Sequence, residues 1–360
     1  MTHSDSRIII GIAGLGRSGW HIHANALEKL AEKYRVAAVM DTDAARRAEA
    51  AQKFGCRAYE DFSQLAQDSE LEVVVVATPN HLHKAHVVEA LKNGKHVICE
   101  KPFGINSGEA EAMTQAARSA GKLVAPFQNR RYEPHFQKVK SVIESGILGD
   151  VHTIRIAWHG FKRRWDWQTL TEFSGGDLNN TGPHVIDQAL QLFGEAEPEV
   201  FVDLRNVLSS GDAEDHIKIV LKAAGSPTID LELTSACAFP GDRWLVMADA
   251  GGLRGTVNEL EWKWIDWSKL QPRPSERFPT PDRTYNSETL EWQSESCETC
   301  EGFDLIVSLF YEDFWRSVRE NAPLFISPES VQRTIAVIEK CKSLCKVQQG
   351  RFALSPLQPA

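Results

Sequence analysis

The sequence predicts an α/β protein in which a doubly wound parallel sheet is followed by a second domain built on an antiparallel sheet. Over the first 127 residues, short apolar runs alternate with stretches of helical spacing, which indicates repeated βαβ units. A glycine-rich turn follows the first apolar run, and beyond residue 127 strand-like runs succeed one another without intervening helices. Because 360 residues exceed what one core usually serves, we expect two domains, 1–127 and 128–360.

The first domain is predicted to contain five clear strands and one weak strand. The strands cover residues 7–13, 35–40, 73–78, 96–99 and 122–127, with the weak one near 56–59. Helices are predicted between them at residues 23–33, 42–54, 82–93 and 107–120. The uninterrupted run Val73-Val74-Val75-Val76 is typical of a strand whose two faces are both covered by helices. Repeated βαβ units of this kind predict a doubly wound sheet.

After residue 127 the pattern changes to consecutive strands. A helix is predicted at 133–144, followed by strands at 151–158, 200–207, 216–223, 228–236, 244–248 and 251–257. Polar and apolar residues alternate in many of them, as in Thr153-Ile154-Arg155-Ile156, which is typical of an antiparallel sheet with one covered face. The proline-rich stretch 271–282 is predicted to be an exposed loop, and helices near 303–321 and 327–345 finish the chain.

Composition narrows the class of protein. Lys and Arg number 40 against 49 for Asp and Glu, and this net charge of −9 argues against nucleic-acid binding. Apolar stretches such as 73–77 are too short to cross a membrane, and residues 1–7 lack the apolar region of a signal peptide, so we expect a cytoplasmic protein. Cys297-x-x-Cys300 and Cys341-x3-Cys345 have no further Cys or His at zinc-site spacing, so we expect reduced thiols and no metal site.

The turn after the first strand carries the dinucleotide fingerprint Gly14-x-Gly16-x-x-Gly19. Gly14 permits the tight turn, Gly16 lets a pyrophosphate approach the backbone, and Gly19 lets the helix pack on the strand. Asp41 ends the second strand, 22 positions after Gly19. A carboxylate at that point accepts hydrogen bonds from the adenosine-ribose hydroxyls and repels a 2′-phosphate, so NAD is favoured over NADP.

Two observations leave room for other interpretations of Asp41. Its carboxylate could instead cap the helix predicted at 42–54. Arg46 and Arg47 lie a few residues further on and would partly offset the repulsion of a 2′-phosphate.

Two further motifs follow strands that end at the same edge of the sheet. Thr78-Pro79-Asn80, with His83 close behind, puts small and polar groups where the nicotinamide half of the cofactor would lie, although Thr78 or Asn80 could simply cap the next helix. Lys101, in Glu100-Lys101-Pro102, follows the strand at 96–99. A lysine there can reach both a nicotinamide and a substrate hydroxyl, and the following proline restricts its backbone.

A second cluster lies in the predicted second domain. Gly175-Gly176 opens a glycine- and amide-rich loop that leads into a helix beginning near Pro183. If that helix starts slightly earlier, Asn180 and His184 share one face by their i,i+4 spacing. Asp187 would then orient the imidazole of His184 or be an ordinary helix acid.

Residues 161–168 carry candidate substrate contacts. Aromatic residues, including Trp165 and Trp167, alternate there with basic and amide groups that include Arg163 and Arg164. Such a mixture suits a sugar, whose apolar face packs on rings while its hydroxyls meet polar groups. The arginines would recognise a carboxylate, phosphate or sulfonate. The alternative is a surface loop anchored by its tryptophans.

Together these motifs resemble the glucose-fructose oxidoreductase/inositol dehydrogenase (Gfo/Idh/MocA) family. The resemblance rests on Ala77-Thr78-Pro79-Asn80-x-x-His83, on Glu100-Lys101-Pro102 and on Gly175-Gly176…Gly182-x-His184-x-x-Asp187, which occur in the family's order. It implies a Rossmann domain joined to an α+β domain with an open, mainly antiparallel sheet that is often used for oligomerisation, so a homodimer or homotetramer is expected.

The resemblance also implies roles for individual residues. Lys101 would handle the proton of the reacting carbinol, with His184 and Asn180 completing the catalytic set. Cofactor contacts are expected from Gly14, Gly16, Arg17, Ser18, Asp41, Thr78, Pro79, Asn80, His83, Glu100, Lys101 and Gln128. Substrate contacts are expected from Lys101, Arg131, Arg163, Arg164, Trp165, Trp167, Asn180 and His184. Of the adjacent Arg130 and Arg131, one is expected to face the substrate and the other to pair at the domain interface.

Asn180 departs from the family pattern, which usually has an aspartate at this position. Asparagine can hydrogen-bond a hydroxyl or Lys101 but cannot accept a proton. We therefore expect an NAD-dependent oxidoreductase acting on a sugar, sugar derivative or cyclitol. The alternatives are a redox-neutral enzyme that cleaves glycosides by oxidation, elimination and reduction, and a non-catalytic NAD-binding regulator.

Overall fold

The computed structural model describes residues 6–299 and 302–353. Its first sheet consists of six parallel strands. They are β1 (Ile8–Ala13), β2 (Tyr34–Met40), β3 (Arg57–Tyr59), β4 (Val73–Val76), β5 (His96–Cys99) and β6 (Val124–Pro126). Their order is β3-β2-β1-β4-β5-β6, so the winding direction changes between β1 and β4. All four valines of β4 are fully buried, as the uninterrupted apolar run predicts.

Five helices pack against this sheet or against one another: α1 (Asn25–Lys29), α2 (Ala44–Phe54), α3 (Phe62–Gln67), α4 (His83–Lys92) and α5 (Ser107–Ala120). The helix predicted at 23–33 differs, because a π-helical segment, Ser18–Ala24, precedes α1 and the backbone leaves the helical region at Leu30. α2 begins two residues later than predicted because the carboxylate of Asp43 accepts two backbone N–H groups of its first turn. The short helix α3 is absent from the predicted elements.

The second sheet has nine strands. They are β7 (Val151–His159), β8 (Glu199–Asn206), β9 (His216–Lys222), β10 (Thr228–Thr234), β11 (Trp244–Ala248), β12 (Gly251–Gly255), β13 (Glu259–Trp264), β14 (Gln293–Glu298) and β15 (Gln348–Gln349). The order is β14-β13-β12-β11-β7-β10-β9-β8-β15, and only the pairs β7–β10 and β8–β15 are parallel. The sheet is therefore open and mainly antiparallel, as expected.

The helices of the second half are α6 (Pro134–Glu144), α7 (Asp177–Asn180), α8 (Gly182–Phe193), α9 (Phe303–Arg319) and α10 (Pro328–Leu344). α8 packs on β7 and β10, whose inward residues, such as Ile156 and Leu231, are buried. The face of β7 and β10 that carries the alternating apolar residues therefore packs on α8. The stretch 271–282 is an exposed loop, as predicted.

α9 and α10 return to the first sheet. The hydroxyl of Tyr311 in α9 lies 2.8 Å from Nδ1 of His23, and its carbonyl accepts the hydroxyl of Tyr34 at 2.7 Å. Arg319 forms a bidentate ion pair with Glu72, with both N–O distances at 2.8 Å. α10 packs against both α5 and α8. The predicted boundary at residue 127 lies between the two sheets. α9 and α10 follow the second sheet in the chain but pack against elements of the first half.

Three findings concern membrane spans, metal sites and cysteine thiols. None of the helices in the described ranges combines the length and the apolar character needed to span a bilayer. Within residues 6–299 and 302–353, no three His, Cys, Asp or Glu side chains form a group able to hold a metal ion. Cys300 of the Cys297-x-x-Cys300 pair lies outside the described residues. Free thiols are found at Cys56, Cys99, Cys237, Cys297, Cys341 and Cys345.

Candidate active site

A cleft of about 960 Å³ lies between the carboxyl edge of the parallel sheet and helices α7 and α8. The loops after β1, β2, β4 and β5 line one side of it, and the segment after β7 lines the other. The predicted site residues that line it are Gly14, Gly16, Arg17, Ser18, Asp41, Thr78, Pro79, Asn80, His83, Glu100, Lys101, Arg164, Trp167, Asn180 and His184.

The turn after β1 has the close contacts that the glycine fingerprint requires. Gly14 has a φ of +87°, and a Cβ atom there would lie 2.5 Å from the carbonyl oxygen of Ala77. A Cβ atom at Gly19 would lie 1.8 Å from the carbonyl oxygen of Gly14. Gly16, in contrast, has open space where a side chain would be. This turn therefore fits a dinucleotide pyrophosphate, which needs close approach to the backbone at this point.

Asp41 supports the same turn. Its Oδ2 accepts the N–H of Leu15 at 2.7 Å, and its Oδ1 accepts the N–H of Asp43 at 2.9 Å. Asp43, not Asp41, caps α2, so the alternative role as a helix cap is wrong. Nη1 of Arg46 lies 3.8 Å from the Asp41 carboxylate, and this arginine also lines the cleft.

The segment after β4 contacts both the loop after β5 and the segment before α7. Both ring nitrogens of His83 lie near backbone oxygens, at 3.0 Å from that of Pro102 and 2.9 Å from that of Thr78. Since a neutral imidazole donates only one hydrogen bond, the ring can satisfy one of these carbonyls at a time. Burial lowers the pKa of His83 and favours this neutral form. Asn80 reaches across the cleft and donates to the carbonyl of Ser174 at 3.4 Å.

Lys101 and Asn180 meet at the centre of the cleft. Nζ of Lys101 donates to the side-chain oxygen of Asn180 at 2.8 Å and to its backbone oxygen at 3.0 Å. Burial lowers the pKa of Lys101 to about 8, Glu100 opposes this shift, and Arg17, Arg130 and other nearby cations add to it. Lys101 is thus held by a residue of the second domain and has a pKa suited to proton exchange near neutral pH.

Glu100 connects Lys101 to the closing helix α9. Its Oε2 accepts the backbone N–H of Lys101 at 3.0 Å, and its Oε1 lies 3.2 Å from Nε2 of His23, whose other nitrogen contacts Tyr311. Burial alone would raise the pKa of Glu100, but the hydrogen bond from His23 and the charge of Lys101 lower it to about 2. The buried carboxylate therefore remains ionised beneath the lysine.

His184 lines the cleft, but Asp187 does not orient it. Burial, with Arg130 and Lys101 nearby, holds the pKa of His184 well below its ordinary value. Among the described residues, Nδ1 of His184 has no hydrogen-bond partner. Asp187 instead forms a bidentate ion pair with Arg131, with N–O distances of 2.6 and 2.7 Å. His184 is thus a neutral ring with a free nitrogen.

Buried polar residues support α7 from beneath. Oε1 of Glu214 accepts the N–H of Leu178 at 2.9 Å, and Nζ of Lys342 in α10 donates to the side-chain oxygen of Asn179 at 2.8 Å. Burial raises the pKa of Glu214 to about 7, and neighbouring Asp177 adds to the shift. These contacts fix the helix that presents Asn180 to Lys101.

The substrate side of the cleft combines aromatic and cationic groups. The guanidinium of Arg130 lies 4.8 Å from the ring centre of Trp158. Arg164 forms a bidentate ion pair with Asp166 at 2.8 and 3.0 Å. Lys162 also faces this side of the cleft. Of the four candidates predicted within residues 161–168, only Arg164 and Trp167 line the cleft.

Four predicted residues lie outside the cleft, which corrects their assignment. Gln128 donates to the carbonyl of Pro183 at 2.7 Å and is buried. Arg131 is buried with Asp187, and the neighbouring Arg130 lines the cleft in its place. The other two are on the outer surface: Arg163 lies over the ring of Phe352, and Trp165 is 77% exposed.

Several lining residues are absent from the predicted set: His86, Arg130, Trp158, Lys162 and Phe303. A sequence signal was available for Lys162. The backbone continues β7 in extended form, since Gly160 and Lys162 donate to the carbonyls of Thr234 and Ser235 at 3.0 Å. Side chains alternate in an extended chain, so Lys162 and Arg164 face the cleft while Arg163 faces away. Phe303 gives no such signal, because it arrives from the distant helix α9.

Comparison with known proteins agrees with this geometry. Residues 8–128 match the description "Oxidoreductase family, NAD-binding Rossmann fold", and residues 136–254 match the Gfo/Idh/MocA C-terminal domain. The chain belongs to the Gfo/Idh/MocA family. It is therefore an oxidoreductase with a nicotinamide-dinucleotide domain, and the Rossmann fold and family membership predicted from sequence are confirmed.

Individual relatives cover most of the chain. The scyllo-inositol 2-dehydrogenase (NADP(+)) IolW of Bacillus subtilis is 25% identical over 92% of each chain. The trans-1,2-dihydrobenzene-1,2-diol dehydrogenase of Mus musculus is 31% identical over 69% of this chain and 73% of its own. The solved structure of yvaA from Bacillus subtilis superposes with a TM-score of 0.77 at 22% identity, covering 95% and 96% of the two chains, and supports the fold.

Proposed function

We propose that this Gfo/Idh/MocA protein interconverts a secondary hydroxyl and a ketone on a sugar derivative or cyclitol. The observation that carries the proposal is Lys101, whose Nζ is held by Asn180 in the dinucleotide cleft and whose pKa is lowered to about 8. Two relatives support it, because their names describe dehydrogenation of an inositol and of a dihydrobenzene-diol.

The residues divide the work as follows. Nicotinamide, when bound, supplies or takes up the hydride. Nζ of Lys101 exchanges the hydroxyl proton, and the side-chain oxygen of Asn180 holds that nitrogen in place. The neutral ring of His184 lines the cleft and would contact a second substrate hydroxyl, although its unpartnered Nδ1 is itself buried. Trp167 presents an aromatic ring to the apolar face of a substrate ring.

We also propose that NAD is preferred over NADP. The carboxylate of Asp41 is fixed by two backbone N–H groups at the end of β2, where it would accept the ribose hydroxyls and repel a 2′-phosphate. Arg46 moderates this preference because it is half-exposed and faces the same carboxylate. Homodimer or homotetramer formation stays a prediction, which sedimentation of the purified protein would test.

Replacement of Lys101 tests the proton role. Lys101→Met should lower turnover by about 10²- to 10⁴-fold, the usual contribution of a positioned acid or base, and leave the dinucleotide dissociation constant nearly unchanged. Lys84→Met is the matched control, because Lys84 is exposed on α4 and outside the cleft. Near-normal turnover by Lys101→Met would refute the proposed role.

The net reaction requires two assays in parallel. A panel of neutral and acidic sugars, glycosides and cyclitols is scored by NADH absorbance and by product chromatography. Matching NADH and ketone formation supports the dehydrogenase. Release of an aglycone without accumulation of NADH would instead identify the redox-neutral enzyme.

A further inference from the structure

The substrate side of the cleft has an excess of positive charge. Apart from Arg17 and Arg46 on the dinucleotide side, four cationic side chains line the cleft: Lys101, Arg130, Lys162 and Arg164. Lys101 is balanced by the ionised carboxylate of Glu100, to which its own backbone N–H donates. Whether the remaining three cations have carboxylate partners bears on the charge of a substrate that binds beside them.

Two of those three have carboxylate partners within the protein. Arg130 forms a close ion pair with the buried Glu133. Arg164 is bidentate to Asp166 at 2.8 and 3.0 Å. Their charges are therefore largely neutralised before any substrate binds.

Lys162 is the exception. Lys162 is exposed, and within the described residues no carboxylate lies within 4.0 Å of its ammonium group. The buried Asp177 acts on it from further away: burial raises the pKa of Asp177, and the charges of Lys162 and Arg164 oppose that rise. The backbone N–H of Lys162 donates to the carbonyl of Ser235 at 3.0 Å, which fixes the strand continuation and turns its side chain towards the cleft. One cation is thus positioned at the substrate side without a direct ion-pair partner, and Asp177 acts on it only from beyond 4.0 Å.

We propose that the substrate carries a single carboxylate group and that Lys162 binds it. This inference rests on the proposed function, because it assumes that the substrate occupies the space beside Lys101. One cation without a direct ion-pair partner suits a monoanion, whereas a phosphate ester carries close to two negative charges at neutral pH. Lys162 thereby determines specificity, while Lys101 performs the proton exchange.

The test compares acids with uncharged amides of the same shape. Purified protein saturated with NAD is titrated calorimetrically with D-glucuronate and D-galacturonate, each beside its neutral amide, and with D-glucose 6-phosphate. The same compounds are assayed for turnover. Lys162→Gln is compared with Arg163→Gln, which removes an equal charge from the adjacent residue on the outer surface. Equal thermal midpoints establish that both variants are folded.

We expect the wild-type protein to bind at least one acid about tenfold or more tightly than its amide, the effect of one hydrogen bond to a charged group. Lys162→Gln should abolish that preference and Arg163→Gln should keep it. Equal affinity for acid and amide, tighter binding of the phosphate, equal effects of the two variants, or no binding of any acid would each overturn the inference. Binding of acids without turnover would overturn the proposed reaction alone.

Discussion

The contact between Lys101 and Asn180 determines the chemistry at the level of single residues. The amide oxygen of Asn180 accepts a hydrogen bond from Nζ of Lys101 without carrying a charge. An aspartate at the same position would place a negative charge about 3 Å from the ammonium group and favour its protonated form. Asparagine therefore orients the lysine while allowing burial to lower its pKa.

Asn180→Asp tests this effect. In the direction of alcohol oxidation, Lys101 must be deprotonated, so the rate of the wild-type protein should rise with pH and level off above about 8. The variant should shift that rise upward by about 1 to 3 pH units, because an opposite charge raises the pKa of a lysine by such amounts. The pH dependence of kcat/KM measures the shift. An unchanged profile would mean that Lys101 does not limit the rate.

Asp41→Asn tests the proposed cofactor preference. Asparagine keeps one acceptor oxygen, enough for one of the two backbone N–H groups, and removes the charge, so the ratio of NADP to NAD affinity should rise by about 10- to 100-fold. Fluorescence titration with both dinucleotides gives this ratio. Asp43→Asn is the matched control, since Asp43 caps α2 and does not line the cleft. The same change in both variants would argue against a direct role of Asp41.

Residues that belong to a local sequence motif could be placed in the cleft from the sequence. Gly14, Asp41 and Lys101 follow strands, and the ends of parallel strands meet at one edge. The choice between Arg130 and Arg131 was not predictable in this way. Both lie in one short 3-10 turn, Asn129–Tyr132, and only the distant Asp187 decides that Arg131 is buried.

At the level of elements, the short helix α7 depends on a buried acid. Glu214 accepts the N–H of Leu178 and also occupies the space beside Gly176, where a Cβ atom would lie 2.2 Å from its Oε1. Burial raises the pKa of Glu214 from 4.5 to about 7. Because the folded protein holds this proton more tightly than the unfolded chain, the proton stabilises the fold at low pH, and the stabilisation is lost as the pH rises from about 4.5 to 7.

Glu214→Gln removes the titration and keeps the hydrogen-bond acceptor. Relative to the wild-type protein, the variant should gain stability between pH 5 and pH 8, by up to about 3 kcal/mol. Urea unfolding at several pH values measures the difference. Glu259→Gln serves as the control, because Glu259 is exposed on β13. A constant difference across the pH range would show that Glu214 does not titrate there.

Three strands were not predicted, and two of them, β14 and β15, depend on pairing. The third, β13, alternates exposed and buried residues and was missed in spite of that signal. Gln293–Glu298 is almost entirely polar, yet it forms β14 because it pairs with β13 from Trp264 to Glu259. β15 is only two residues long and pairs with β8. Strands with buried, alternating residues, such as β7, β9 and β10, carry their own signal and were predicted to within two residues at each end.

At the level of the whole molecule, α9 connects the first sheet to the rest of the protein. Its Tyr311 is fully buried against His23 and Tyr34. Tyr311→Phe would leave Nδ1 of His23 buried without its partner, which should lower the free energy of unfolding by about 1–3 kcal/mol.

Denaturant unfolding of Tyr311→Phe beside Tyr285→Phe provides the measurement, since Tyr285 is 96% exposed. We expect loss of stability in the first variant only. Equal stability of the two variants would show that the hydrogen bond between Tyr311 and His23 contributes little.

The position of α9 has a consequence for synthesis of the protein. The ribosome completes all six strands of the first sheet before it begins the second, but the side chains of His23 and Tyr34 gain their cover only when Phe303–Arg319 emerges. Part of the apolar surface of the nascent dinucleotide domain therefore stays exposed to water while the ribosome synthesises more than half of the chain. A protein cut after residue 127 would keep its cofactor fingerprint but lose this cover, and it would be prone to aggregate.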